Sequence, residues 1–173
     1  MSYTLATNQS VETLRTNNEA GTAAINLTGN NLANTLVGNN GNNAINGGGG
    51  ADTLIGARGI DTLTGGSDVD RFVWRDANES GVDAATADTI VDFNPLAGEL
   101  IDLGGVDADV FTAGNQAFTF IGAAAFTGAA GEINFIHLNG DTIIQLQTGQ
   151  AVDVDMAIRI PGIVTPEASW FLL

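Results

Sequence analysis

The feature that most constrains this chain is a nine-residue beat. Leu27, Leu36, Ile45, Leu54, Leu63 and Phe72 follow one another in steps of nine. Two positions before the last five stand Asn34, Asn43, Asp52, Asp61 and Asp70, and the same five units open on Gly29, Gly38, Gly47, Gly56 and Gly65. The units read GNNLANTLV, GNNGNNAIN, GGGGADTLI, GARGIDTLT and GGSDVDRFV. A flexible linker is the bland reading of Gly/Asn-rich sequence, but a linker has no reason to hold three residue types in phase. Self-similarity at a fixed period marks stacked repeats, each burying its apolar residue against its neighbours.

The consensus is G-G-x-G-x-D-x-U-x, with U a large apolar residue. Six residues make a turn and three a short strand whose U side chain points inward. The consensus resembles the nonapeptide of RTX (repeats-in-toxin) calcium-binding proteins, and the resemblance implies that two units complete one coil, so turns on the same edge lie two units apart. Asp52 therefore stacks beside Asp70, and Asn43 beside Asp61. A hard cation held between stacked turns can take two carboxylates plus backbone carbonyls, about six oxygens, which suits Ca²⁺ better than the tighter octahedron of Mg²⁺.

Charge points the same way. The chain carries 20 acidic residues against 5 basic ones, for a net charge of −15, and all the basic residues are Arg. Most of the acids fall between residues 47 and 110. Such a surface repels phosphate backbones and anionic lipid, so nucleic acid is not an expected partner. No cysteine is present, which excludes disulfides and thiolate metal sites. No apolar run is long enough for a transmembrane segment, and residues 1–14 lack the basic and apolar regions of a cleavable secretory leader.

Residues 29–73 resemble the RTX (repeats-in-toxin) haemolysin-type calcium-binding repeat. Gly47–Ile55 matches at every position, while Asn30, Asn39 and Ala57 replace the second Gly, Leu32 and Asp68 the fourth-position Gly, and Asn34 and Asn43 the Asp. The resemblance implies a ligand set: Gly47, Gly49 and Asp52 facing Gly66, Asp68 and Asp70 as the best-formed site. A weaker pair sets Asn40 and Asn43 against Ala57, Gly59 and Asp61, and Asn34 beside Asp52 is weaker still. The alternative for Asn34 and Asn43 is an amide ladder holding metal-free turns. Val11–Leu14 and Ala24–Leu27 read as degenerate strands of leading coils.

Beyond Phe72 the nine-residue phase is lost, and β-type segments follow at 88–93, 99–103, 117–121, 133–138, 141–146, 156–160 and 169–173. RFVW, DTIVDF with ELIDL, and AFTFIGAAAFTGAAGEI make this half similar to the C-terminal domain of serralysin-type proteases and other type I secreted bacterial proteins. The resemblance implies an uncleaved export signal in the apolar tail Ser169–Leu173. It also departs from the family: Gln147–Ala151 stands where relatives carry an acidic loop, so no calcium site is expected there, and Asp153 and Asp155 read as a solvated strand edge. Asp88 and Asp92 flank a strand near the last turn, and Asp88 is a candidate outer ligand.

No catalytic constellation appears. His137, the single histidine, lies in the strand-like INFIHL. There is no H-E-x-x-H, no G-x-S-x-G elbow, and no Gly-Lys-Ser/Thr after the GGGG run. The expected fold is all-β: leading coils over 1–28, a parallel β-roll (a calcium-binding solenoid) over 29–73, and a β-rich cap over 74–173. The expected function is a calcium-binding module, not itself an enzyme, that folds after type I secretion. Its expected partners are calcium ions and the type I secretion exporter, its location extracellular or at the cell surface, and its parent a protease, lipase or epimerase. The alternative is a surface adhesin or module binding cell-surface polysaccharide.

Overall fold

The computed structural model describes every residue from Met1 to Leu173. Its only helical segments are three single turns of 3₁₀ type, and no helix is long and apolar enough to cross a membrane. The strands of the roll are β1 (Ser2–Thr4), β2 (Thr13–Arg15), β3 (Asn26–Thr28), β4 (Thr35–Val37), β5 (Ala44–Gly48), β6 (Thr53–Ile55), β7 (Thr62–Gly66), β8 (Arg71–Val73), β9 (Asp88–Ile90) and β10 (Leu100–Asp102). The remaining strands are β11 (Thr119–Phe120), β12 (Glu132–Leu138), β13 (Asp141–Gln147), β14 (Met156–Ile160) and β15 (Phe171–Leu172).

Successive strands of the roll alternate between two sheets. One has the order β1-β3-β5-β7-β9-β14-β13-β12-β11, the other β15-β10-β8-β6-β4-β2. Pairing along the roll is parallel and keeps the apolar residues in register: Leu27 with Ile45 with Leu63 with Ile90 in one sheet, Leu14 with Leu36 with Leu54 with Phe72 with Ile101 in the other. Leu36, Leu54, Leu63, Phe72, Ile90 and Ile101 have no accessible surface, and all belong to one continuous core. Each such side chain gives about 1.5–3 kcal/mol on burial. The glycine that opens each unit sits where the turn presses on its neighbour: a Cβ on Gly47 would strike the Asp52 carboxylate and the Gly65 carbonyl.

Stacking continues past the end of the nine-residue phase. β9 pairs with β7 through Thr62–Thr89 and Leu63–Ile90, and β10 pairs with β8 through Ile101–Phe72. Insertions after Trp74 and after Asp92 lengthen the connections without breaking the spatial register. The leading coils run over β1 to β3, with β2 and β3 where the degenerate repeats Val11–Leu14 and Ala24–Leu27 were read.

The far end of the roll is closed by an antiparallel meander, β12-β13-β14, joined to β9 by the parallel pairing Ile158–Asp88. β12 and β13 turn at Asn139-Gly140, both at positive φ (55° and 91°), the backbone that a two-residue hairpin requires. β15 adds to the open edge of β10 through Ile101–Phe171. An aromatic chain fills the end of the core, with ring centroids 6.1 Å apart for Phe72–Phe93, 5.2 Å for Phe93–Trp170 and 5.3 Å for Phe120–Phe171. Such pairs favour tilted or edge-on contact.

Candidate metal centre

Strands β4 to β8 are each preceded by a turn whose last polar residue is pulled inside by the apolar residue two positions on. Together with Asp88 these residues form two columns, one on each edge: Asn34, Asp52 and Asp70 on one, Asn43, Asp61 and Asp88 on the other. All six are buried, with relative exposures of 3% or less. Within each column one carboxylate oxygen accepts the backbone N–H of the rung before it. Asp52 Oδ1 accepts from Asn34 N at 2.7 Å, Asp70 Oδ1 from Asp52 N at 2.8 Å, Asp61 Oδ1 from Asn43 N at 2.7 Å and Asp88 Oδ1 from Asp61 N at 2.7 Å. Asp88 therefore stacks on Asp61, 27 residues away, and not on Asp70, from which the sequence spacing of 18 separates it.

The second oxygen distinguishes the three central rungs. Oδ2 of Asp52, Asp61 and Asp70 is buried and has no hydrogen-bond partner. An unpartnered buried acceptor costs about 1–3 kcal/mol, and more when charged, so a structure that repeats the feature three times is built around something that satisfies it. A cation does so. No point in the structure gathers three or more Asp, Glu, His or Cys side chains that could hold a metal, so a cation here would have to take most of its ligands from backbone carbonyls. That all-oxygen donor set belongs to a hard ion of the Ca²⁺ kind.

Burial of these acids raises their pKa values. Desolvation, then the neighbouring Asp70 and Asp68 charges, pushes Asp52 up to about 6 against the hydrogen bond from Asn34 N. Asp61 rises to about 8 through desolvation and the Asp88 charge. Asp70 is raised by desolvation and the charges of Asp92 and Asp68. Asp88 reaches about 7 through desolvation, opposed by its hydrogen bonds with Asp61 N and Trp74.

The other anticipated residues lie in the same turns. Gly48 and Gly66 pair across β5 and β7, which sets Gly47 and Gly49 of one turn beside Gly66 and Asp68 of the next. The Asp68 side chain is exposed, and its Oδ2 accepts Gly50 N at 3.1 Å. Ala57 and Gly59 are in the Asp61 turn, and the backbone of Gly59 lies against that of Gly41. Asn40 donates its N–H to Glu19 O. The side chains of Asn34 and Asn43 are both engaged by protein: Asn34 Oδ1 accepts from Asn30 N and its Nδ2 donates to Val11 O, while Asn43 Oδ1 accepts from Asn39 N and its Nδ2 donates to Asn39 Oδ1. Asp92 caps the last full turn by accepting Gly65 N and Gly66 N, both at 2.9 Å. Asp155, expected to be solvated, accepts Thr148 N and Gly149 N and so closes the loop before β14. His137 lies on β12, its Nε2 2.8 Å from the Val164 carbonyl, with no carboxylate on it.

Two residues escaped the sequence reading. Glu99 is aligned with Asp70 by the Leu100–Arg71 register and is buried at 3% exposure. Desolvation and the charges of Asp70 and Asp92 hold its pKa up at about 7. Its signal was present: Asp52-x-Leu54, Asp61-x-Leu63, Asp70-x-Phe72, Asp88-x-Ile90 and Glu99-x-Ile101 share one acid-x-apolar spacing. Trp74 is the other. Its indole N–H donates to Asp88 Oδ2 at 2.8 Å.

A two-sheet parallel roll with buried acid columns along its edges defines a class of cation-binding solenoid. Residues 28–63 and 47–73 match the model of the RTX calcium-binding nonapeptide repeat, so this segment is an RTX repeat array, and Ca²⁺ is the ion such repeats bind. Among solved structures, the AlgE6R3 subunit of the Azotobacter vinelandii mannuronan C5-epimerase has the same fold, with a TM-score of 0.58 and 19% identity over 86% of this chain and 77% of that one. The AlgE6R2 subunit of the same epimerase matches at 22% identity over 90% and 94% of the two chains, with a TM-score of 0.37. No curated protein sequence matches the chain.

Proposed function

We propose that this chain is the calcium-responsive, non-catalytic module of a larger exported protein, folding when it meets extracellular calcium. The observation that carries the reading is the row of buried Asp oxygens without partners at Asp52, Asp61 and Asp70. The proposed ligands are the carboxylates of Asp52, Asp61 and Asp70 with the turn carbonyls of Gly47, Gly49, Ala57, Gly59, Gly66 and Asp68. Bound calcium supplies positive charge between stacked carboxylates. The chain's own residues do the rest: the glycines bring backbone close, and the column amides aim each carboxylate. Because the site exists only in the folded chain, binding energy becomes folding energy. In the low calcium of a cytosol the acidic turns repel and the chain stays threadable, which suits a type I exporter reading the tail Ser169–Leu173. Outside, stacking makes return unfavourable.

The test is a calcium titration of folding by circular dichroism. Asp52→Ala and Asp70→Ala should each raise the calcium midpoint more than Asn34→Ala. Equal midpoints would place the principal site elsewhere. A second reading, a module contacting polysaccharide, draws on the likeness to subunits of a mannuronan-modifying enzyme. Calcium-dependent retention on mannuronan would favour it.

A further inference from the structure

The five repeat turns fall into two conformational classes, and the division follows the rung residue and not the glycines. In the three Asp turns the second and fourth positions are both left-handed: Gly48 and Gly50 at φ 101° and 87°, Ala57 and Gly59 at 69° and 129°, Gly66 and Asp68 at 105° and 78°. In the two Asn turns neither position has positive φ, although Gly41 occupies the fourth position of one. Ala57 and Asp68 adopt a backbone that L side chains disfavour, while Gly41 declines one it could adopt freely. Local preference therefore does not set the turn type.

The hydrogen bonds show what does. A Cβ on Gly29 or Gly38 would meet the Oδ1 of Asn34 or Asn43, just as one on Gly47, Gly56 or Gly65 would meet the Oδ2 of Asp52, Asp61 or Asp70. These five oxygens thus occupy equivalent places inside their own turns. In the Asn turns that oxygen receives the second-position amide, Asn30 N at 3.0 Å or Asn39 N at 2.8 Å. In the Asp turns the same atom has no donor. The far end of the array is sealed in the same way. Asp88 Oδ2 receives the Trp74 indole N–H, and Glu99 Oε2 receives Asn94 N at 2.6 Å.

We infer that the cation array of this roll is confined to the three turns 47–52, 56–61 and 65–70, and that the rungs on either side are closed by the protein's own N–H groups. The Asn coils then need no metal. Asn30 Nδ2 ties its turn to Ala6 O and Gln9 O, Asn31 pairs with Asn8, and Asn39 Nδ2 reaches Ala23 O, so the leading coils carry a neutral amide network complete in itself. They form a preformed end onto which the calcium-requiring coils stack. This deepens the calcium-module reading and rests on it.

The test uses the full chain in two measurements. Native mass spectrometry in calcium should count at most three ions, no more than one for each unpartnered carboxylate oxygen. Hydrogen exchange in excess chelator should leave the amides of residues 35–46 at least about tenfold slower than those of residues 62–73, as a locally more stable unit. The Asn43→Asp variant, which loses the Nδ2 donor and gains a charge, should abolish that protection and take up one ion more than the unsubstituted chain. More than three ions on the unsubstituted chain, or chelated exchange equally fast in both segments, would overturn the inference while leaving the calcium module intact. Failure to take up any ion would remove both.

Discussion

Trp74 offers a sharp test of how the acid columns are held. The residue is 1% exposed, and its N–H is the only donor to Asp88 Oδ2, on a side chain with no accessible surface. Trp74→Phe keeps most of the ring and removes that donor. Losing a hydrogen bond to a buried charged group costs about 1.5–3 kcal/mol, and the smaller ring leaves a void worth about 1 kcal/mol more. The expected loss is therefore about 2.5–4 kcal/mol, a fall of roughly 1–2 M in the urea midpoint. Unfolding would be followed by far-ultraviolet circular dichroism at saturating calcium. Packing and charge can be separated by pH. The indole opposes the burial that raises Asp88 to about 7, so its removal raises that value further and destabilises the ionised form most. The loss should be larger at pH 8 than at pH 5. A deficit under about 0.5 kcal/mol, or one equal at both pH values, would refute the account.

Three further outcomes follow from the same geometry. In chelator the buried acids have folded pKa values above their unfolded values: about 6 for Asp52, 8 for Asp61 and 7 for Asp88 and Glu99. The folded state then binds more protons, so the chelated roll should show more β signal near pH 5 than at pH 8 and lose it as pH rises; calcium needs the carboxylates ionised, so its folding midpoint should move to higher concentration in acid. Ala57→Gly relieves a left-handed alanine at φ 69° and should lower the calcium midpoint, for a gain of up to about 1 kcal/mol, which the same titration measures. Trp170→Ala removes a ring packed 5.2 Å from Phe93 and should cost about 3–5 kcal/mol in urea unfolding, independently of any effect on export measured with a reconstituted exporter.

Much of the roll was legible because its physics is local and periodic. The nine-residue spacing of Leu36, Leu54 and Phe72 fixed which side chains face inward, and the doubled period placed Asp52 beside Asp70, as the Asp52 N to Asp70 Oδ1 bond shows. Past Phe72 counting fails although stacking does not. Insertions after Trp74 and Asp92 are loops outside the sheets, so they change the sequence separation and leave the pairing of Ile90 and Ile101 untouched. Glu99 was overlooked for that reason. The two turn classes were illegible for another: Gly41 and Ala57 contradict their own preferences, and the deciding contacts are amides meeting a side chain several residues on. Trp74 read as a generic aromatic because its polar end finds Asp88 only after the intervening loop has folded back.

The pairing of Ile101 with Phe171 has a kinetic consequence. Rungs of the roll join residues 18 apart, whereas β15 must find β10 across about 70 residues, which by loop-closure entropy costs roughly 1 kcal/mol more than closing a rung. Contacts of long sequence separation form late. The roll is thus built of short, quickly closed loops, while the strand that covers its last exposed edge must arrive after a long search. Until it does, β10 presents a bare row of amides and carbonyls beside Ile101 and Leu103, the kind of edge on which unfinished chains pair with one another.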